Sequence, residues 1–114
     1  MSGPREIIAA LGRRGSVPLI VDHLAAYGPS SAADISRAVA ISRPGARARV
    51  LELRAAGVVE LEVGEFGLAG FVHRYYLEPD ALRYAARWLD VLAVRAEHAN
   101  RDLTVMLAPI GGQR

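Results

Sequence analysis

The stretch SAADISRAVAISRPGARARVLELRAAG, residues 31–57, decides the fold of this chain of 114 residues. It opens with Ser31, a typical N-cap residue, and Asp34 three positions later completes a variant of the capping box. Pro44 marks the start of a second helix, because proline is tolerated in the first turn of a helix and not in its interior. Gly57 is expected to end that second helix in the left-handed conformation.

The apolar residues of this stretch recur at helical spacing. Those of the first helix are Ile35, Val39 and Ile41, and residues 42–45 are expected to break it. Those of the second helix are Ala46, Val50 and Leu53, spaced by four and by three. Two short helices around a tight turn, the second rich in arginine, form the helix-turn-helix pattern.

Two further helices are predicted before this motif. Residues 4–11 and 17–27 have apolar side chains at helical spacing, and each segment has a proline near its start. Ser16 is expected to cap the second of these helices, and Tyr27 is expected to lie on its apolar face.

After the motif the apolar period changes from helical to two. Residues 58–63 and 71–77 alternate in the way half-buried strands do, and they flank the glycine-rich segment 64–70, which predicts a hairpin. A last, long helix begins at residues 78–80 and reaches about Asn100 or beyond. The predicted fold class is mostly α with a small β-hairpin, a winged helix-turn-helix in the order α-α-α-α-β-β-α.

Composition and motifs exclude several kinds of site. The chain has no cysteine, so it has neither disulfides nor thiolate metal ligands. Residues 1–15 lack the apolar core of a secretory signal peptide, and no apolar run approaches the ~20 residues of a membrane span. No glycine-rich phosphate loop, metal motif or nucleophile constellation is present. We therefore expect a cytoplasmic protein that is not an enzyme, binds no cofactor and has no membrane partner.

Charge is unevenly distributed, although the formal net charge is only +2. Residues 31–57 carry five arginines against two carboxylates, and residues 58–78 carry four glutamates against one arginine. A basic helix-turn-helix predicts double-stranded DNA as a partner, with residues 43–56 as the recognition helix. The expected DNA-binding residues are Arg37, Ser42, Arg43, Arg47, Arg49 and Arg54. For Arg37, a salt bridge with Asp34 is the alternative interpretation.

A helical wheel separates these side chains. Arg43, Arg47 and Arg54 lie along one flank of the second helix, and Arg49 lies on the other. The side opposite the buried stripe holds Pro44, Ala48 and Ala55, none of which can hydrogen-bond a base through its side chain. Flanking arginines suit phosphates, which supply affinity and salt dependence but no sequence code.

Two stretches resemble the ArsR-type winged-helix repressors. ISRPGARARVLELRAAGVV, residues 41–59, is similar to the recognition helix of that family, and HRYYLEPDALRYAARWL, residues 73–89, is similar to its second wing strand and dimerisation helix. The resemblance covers roughly residues 5–100 and favours the ArsR type over the PadR and MarR types. It implies a homodimer, joined through its first and last helices, that represses transcription by occupying a palindromic operator.

The dimer assigns roles to both ends of the chain. We place residues 1–102 in one winged helix-turn-helix domain with N- and C-terminal dimerisation helices, and residues 103–114 in a C-terminal extension. The apolar stripe of the last helix is longer than a small core needs, which favours a second subunit. The expected interface residues are Ile7, Leu11, Leu82, Leu89 and Leu92.

The sequence departs from the family at its metal-sensing positions. Some members use cysteines, which are absent here, and others use Asp and His residues of the last helix. That helix offers Asp90, Glu97, His98 and Asp102 without the Asp-x-His start of the motif, so no metal site is expected. His73 is interpreted as a packed or edge residue, and His23 as a helix-surface or partly buried one. The effector is then a small molecule, another protein, or absent.

The acidic hairpin supports an alternative function. Glu60 and Glu62 share one strand face, where Arg74 and Tyr76 are expected opposite them, and no basic residue lies near the tip. The tip carries two apolar side chains, Phe66 and Leu68. The alternative is a winged-helix module that binds a protein through this hairpin, with little or no specific DNA binding.

Overall fold

The computed structural model describes residues 3–13, 15–65 and 71–111. In that part of the chain the order of elements is α1 (Pro4–Leu11), α2 (Val17–Tyr27), α3 (Ala32–Val39), α4 (Arg43–Ala55), β1 (Val59–Glu65), β2 (Phe71–Leu77) and α5 (Pro79–Gly111). The two strands form an antiparallel hairpin. The predicted class and order of elements are confirmed.

One hydrophobic core is formed by the four helices α1, α2, α3 and α4, the hairpin and the first turns of α5. The predicted stripe of α4 lies at its centre, because Ala46, Val50 and Leu53 are at most 1% exposed. The other buried apolar residues are Ile7, Ala10, Val17, Ile20, Leu24, Ile35, Val58, Val59, Tyr75 and Ala85. Burial of its stripe therefore fixes the rotation of α4 about its own axis.

The capping box predicted for α3 is present. Ser31 Oγ accepts a hydrogen bond from the Asp34 N–H at 3.1 Å, and Asp34 Oδ2 accepts one from the Ser31 N–H at 3.2 Å. These two bonds satisfy backbone donors that the first turn of a helix leaves without partners.

The turn between α3 and α4 lies earlier than predicted. Ala40 adopts the left-handed conformation, with φ 60° and ψ 45°, and ends α3 before Ile41. Ile41 is therefore a turn residue packed against the core, and Arg43 already belongs to α4. Ser42 is the N-cap of α4, because its Oγ accepts a hydrogen bond from the Gly45 N–H at 3.0 Å. The sequence does not signal this turn, since alanine normally continues a helix and rarely adopts positive φ.

The end of α4 is a Schellman motif. Gly57 has φ 80°, its N–H donates to the Arg54 carbonyl at 2.9 Å, and the Val58 N–H donates to the Leu53 carbonyl at 3.0 Å. Val58 and Leu53 are both buried, as the motif requires of its apolar pair. The left-handed glycine cap is confirmed, and it directs the chain from α4 into β1.

The hairpin has the predicted register on its acidic face. Glu60 lies opposite Tyr76 and Glu62 opposite Arg74. β1 continues to Glu65, two residues beyond the predicted strand. The tip residues Phe66 and Leu68 lie outside the described residues.

Ser30 joins the hairpin to the helix-turn-helix. Its N–H donates to the Tyr75 carbonyl at 2.9 Å, and the Tyr75 N–H donates back to the Ser30 carbonyl at 2.8 Å. Both residues are buried. Because Ser30 immediately precedes the cap of α3, this bridge holds β2 beside the N-terminus of that helix.

Two details predicted for α2 are wrong. Ser16 occupies the N-cap position, but its side chain makes no capping hydrogen bond because its backbone is helical rather than extended. Tyr27 is 77% exposed, since it is the last residue of α2 and lies beyond Leu24, the last buried residue of that helix. Its ring instead contacts that of His23, with the centroids 5.0 Å apart.

Helix α5 begins at Pro79 and extends beyond the core. Ala81, Leu82 and Ala85 pack on the core, whereas residues 89–101 are all exposed. The helix is continuous to Gly111, so residues 103–111 prolong it. Its 33 residues correspond to about 50 Å. Among the described residues, no helix has both the length and the apolar character needed to cross a membrane.

The strained turn at residue 40 predicts a stabilising substitution. A left-handed conformation costs an L-residue about 1–2 kcal/mol, and glycine avoids this cost while losing about 0.5–1 kcal/mol of backbone entropy. We expect Ala40→Gly to raise the free energy of unfolding by up to about 1 kcal/mol, measured by urea denaturation at a fixed protein concentration.

A matched control lies two residues earlier. Ala38 is exposed in α3, and Ala38→Gly should lower the free energy of unfolding by about 1 kcal/mol. A destabilising effect of both substitutions would contradict the conformation assigned to Ala40.

Candidate nucleic-acid interface

A groove separates the first turns of α3 and α4 from strand β2. The Ser30–Tyr75 backbone bridge joins its two walls at one end. The lining residues are Ser31, Ala32, Ala33, Arg43, Pro44, Arg47, Val72, His73 and Tyr75. Two of the predicted DNA-binding arginines therefore line the same groove as the hairpin.

Three predicted arginines carry charges that no described residue neutralises. Arg43, Arg47 and Arg54 are exposed. None of them has a hydrogen bond or ion pair in the part of the chain that the structure describes. They follow one another at four and seven residues, so they lie along one flank of α4. This flank presents three free guanidinium groups to solvent.

Two other predicted arginines are paired. The Arg37 guanidinium lies 2.6 Å from Asp34 Oδ1, which is the alternative predicted for it. Arg49 lies 3.3 Å from Glu52 Oε1, and Arg13 lies 3.2 Å from Glu52 Oε2. Glu52 thus links α4 to the loop after α1 and holds Arg49 on the flank opposite the free arginines.

Ser42 stands at the start of the basic flank. Its Oγ accepts the Gly45 N–H, and the residue is exposed. The capping role uses the oxygen as an acceptor and leaves the hydroxyl proton to donate elsewhere. The structure therefore gives Ser42 a definite folding role, in addition to the DNA contact predicted for it.

The outward side of α4 is apolar. Pro44 and Ala55 are exposed and Ala48 is half-exposed, in agreement with the helical wheel. Leu51, which sequence reasoning missed, lies on the same side and is 39% exposed. The spacing 44, 48, 51 and 55 repeats at four, three and four, so the periodicity that identified the buried stripe was also the signal for this second one.

The predicted interface residues fall into three groups. Ile7 is only 2% exposed within one chain, so it is a core residue and offers no surface to a partner. Leu11 and Leu82 are partly buried against the same core. Leu89 and Leu92 are 49% and 36% exposed on the outer part of α5. The Arg5 guanidinium lies 6.0 Å from the ring centroid of Trp88 and links α1 to α5.

The electrostatic environment of Asp34 favours its charged form. The pKa of Asp34 is lowered most by the hydrogen bond from the Ser31 backbone N–H. Burial, the second-largest contribution, raises it, and the Ser31 hydroxyl and the Arg37 and Arg74 charges lower it further, so that the net shift is downward. Because the carboxylate lies in the first turn of α3, the helix dipole also favours its negative charge.

The histidines are placed as the sequence suggested. His23 is half-buried, with its Nε2 3.2 Å from Ser30 Oγ. Ser30 Oγ donates to the Gly28 carbonyl at 3.0 Å, so His23 is the donor in its contact with Ser30. His73 is exposed at the edge of the groove. No group of three or more potential metal ligands is close enough to hold an ion within the described part of the chain.

The sequence matches no protein-family model and no curated protein. The structure resembles an ArsR-like transcriptional regulator from Rhodococcus sp. RHA1, with a TM-score of 0.66 and 18% identity over 90% of this chain and 91% of that one.

Two structures from Mycobacterium bovis are also similar. One is the solution structure of a homodimeric winged helix-turn-helix DNA-binding domain from a possible ArsR-family transcriptional regulator, with a TM-score of 0.57 and 25% identity over 82% of each chain. The other is a crystal structure of fragment 1–100 of a possible transcriptional regulatory protein, with a TM-score of 0.56 and 26% identity over 78% of this chain and 88% of that one.

The lowered pKa of Asp34 predicts how the capping box depends on pH. Its stabilising effect is complete above the ordinary pKa of 3.8 and is lost as the pH falls through the lower folded-state value. At pH 7 we expect Asp34→Ala to lower the free energy of unfolding by about 0.3–1.5 kcal/mol.

The pH dependence separates charge from hydrogen bonding. The difference between Asp34→Ala and the parent should shrink as the pH falls below 3.8, in urea denaturation repeated at each pH. Asp34→Asn keeps an acceptor oxygen and should retain part of the stability at pH 7. A difference that stays constant down to pH 2 would argue against a role for the Asp34 charge.

Proposed function

This chain has the winged helix-turn-helix fold of ArsR-like transcriptional regulators, and from that premise we propose that it is a DNA-binding repressor. In this proposal a homodimer occupies a palindromic operator with α4 of each subunit in the major groove. The observation that carries it is the flank of Arg43, Arg47 and Arg54, which have no partner among the described residues, on a helix whose outward side is exposed in the same part of the chain.

The diameter of a helix such as α4 suits the major groove of duplex DNA. The major groove of B-DNA is about 12 Å wide and admits one α-helix. Ala46, Val50 and Leu53 lie in the core. The opposite side of α4 therefore enters the major groove of the DNA, and the arginine flank faces one phosphate strand. In this proposal that strand lies against the protein groove between α4 and β2, where Arg43 and Arg47 bind its phosphates.

The outer part of α5 supports the proposed dimer. A free helix with exposed leucines is poorly stable in water and gains most from packing its apolar side on a partner. The similar domain from Mycobacterium bovis is homodimeric. A two-fold dimer presents two recognition helices to half-sites about 34 Å apart, which explains a palindromic operator.

The fold supports a regulator rather than an enzyme, since the similar structures are transcriptional regulators. The alternative, a protein-binding module, depends on an acidic hairpin. In the described part of that hairpin Glu62 lies opposite Arg74. The arginines of α4 that have no partner among the described residues favour DNA over this alternative.

The arginine flank predicts the salt dependence of DNA binding. The parent should bind its own upstream DNA more tightly than a scrambled duplex. Replacing Arg43 and Arg47 by alanine removes two phosphate contacts from each subunit and four from the dimer, so the slope of log affinity against log salt should fall in magnitude by about 4. Fluorescence anisotropy at several salt concentrations measures both quantities.

A matched control removes the same charge elsewhere. Arg83 and Arg87 lie on α5 with the same four-residue spacing and are exposed, so Arg83→Ala/Arg87→Ala should leave the slope nearly unchanged. Failure of the parent to bind either duplex at low salt would overturn the DNA-binding proposal in favour of the protein-binding module.

The exposed leucines of α5 predict a monomeric variant. Leu89→Glu/Leu92→Glu places two charges on the proposed interface and should convert the dimer to a monomer in sedimentation velocity at micromolar concentration. Val91 and Val94 are 51% and 47% exposed on roughly the opposite side of the helix. Val91→Glu/Val94→Glu should therefore remain dimeric. A monomeric parent at this concentration would contradict the interface.

A further inference from the structure

The outward stripe of α4, defined here as Pro44, Ala48 and Leu51, is not needed by the fold. The core already buries the opposite stripe of the same helix. Leu51 nevertheless exposes 39% of its surface, and Pro44 is exposed beside it. A branched apolar side chain at the centre of this helix therefore faces solvent in the isolated protomer.

The chemistry of this stripe excludes one form of base recognition. None of its three side chains can donate or accept a hydrogen bond. The polar residues nearest to it on the helix are Arg47 on one edge and Glu52 on the other. Glu52 is engaged by Arg13 and Arg49. The stripe itself therefore offers no hydrogen bond to base edges.

The major groove contains one apolar group that such a stripe can contact, the C5-methyl group of thymine. We propose that Leu51 and Ala48, together with Pro44, read thymine methyl groups, so that each half-site is recognised by apolar contacts at A·T pairs. This inference rests on the proposed DNA-binding function and names its specificity-determining residues.

The positive charges beside the stripe favour duplex DNA as the molecule that binds there. Arg43, Arg47 and Arg54 carry unpaired positive charges along one edge of it. Phosphate strands border the floor of the major groove on both sides, so a cationic edge beside an apolar face complements a methyl-bearing groove. The seven-residue rise from Pro44 to Leu51 is about 10 Å, or roughly three base-pair steps.

The experiment removes methyl groups without changing base pairing. The protein's own upstream DNA is amplified with dTTP or with dUTP, which replaces every thymine by uracil, and a scrambled duplex is prepared in both forms. Parent affinity for the upstream DNA should fall about threefold to fivefold for each contacted methyl group. Affinity for the scrambled duplex should change little, because phosphate contacts dominate there.

Variants assign the effect to Leu51. Leu51→Ala should weaken binding to the thymine-containing upstream DNA, and its sensitivity to uracil should be smaller than that of the parent by the contacts that Leu51 makes. Leu19 is 56% exposed on α2, so Leu19→Ala is the matched control and should behave as the parent does. Circular dichroism of both variants checks that the fold is retained.

The outcomes separate this inference from the proposed function. Preferential binding of the upstream DNA that is equal in its thymine and uracil forms would overturn methyl reading while leaving the DNA-binding proposal intact. Uracil sensitivity in Leu51→Ala that equals that of the parent would overturn the role of Leu51. Binding to no duplex at low salt would reject the proposed function and this inference with it.

Discussion

The burial of one side of α4 in the core determines which of its residues face solvent. Ala46, Val50 and Leu53 lie in the core, so the helix cannot rotate without exposing them. Ser42 fixes where the helix begins, and the Schellman motif at Gly57 fixes where it ends. The two ends and one buried side together define which residues form the outward stripe and which form the arginine flank.

Charge pairing divides arginines that look equivalent in the sequence. Glu52 is held by Arg13 and Arg49 from two separate elements, whereas no described carboxylate reaches Arg43 or Arg47. Exposed ion pairs contribute little to stability, so the main effect of the Glu52 pairing is on the position and availability of Arg49. The result is an asymmetric helix, with cations that no described carboxylate reaches on the flank next to the hairpin and the neutralised Arg49 on the other.

Local signals predicted much of this fold because they act through neighbouring residues. The capping box at Ser31, the glycine cap at residue 57 and the pairing of Glu62 with Arg74 each depend on short-range spacing or strand periodicity. The left-handed Ala40 has no such signal, because alanine rarely adopts a positive φ. The burial of Ile7 was also misjudged, since an apolar helix position does not reveal whether its own core or a partner covers it.

The candidate site was less predictable than the fold for a related reason. A helical wheel shows that Arg43 and Arg49 lie on different flanks. It cannot show that Glu52 forms an ion pair with Arg49, because the position of that carboxylate also depends on Arg13 from a distant loop. Leu51 illustrates the opposite case, since its position on the wheel was sufficient to place it outside the core.

The exposed apolar stripes of α4 and α5 differ in what can cover them. Leu89 and Leu92 continue the side of α5 on which Leu82 and Ala85 pack, so a second apolar helix would extend an existing core. Leu51 stands among small residues beside unpaired arginines, where an apolar protein surface would leave buried cations without partners. A surface that combines apolar groups with nearby negative charge satisfies both requirements, and the major groove of a thymine-containing duplex is such a surface. The same helix face that is unsuitable for permanent burial in protein is therefore suited to reversible contact with DNA.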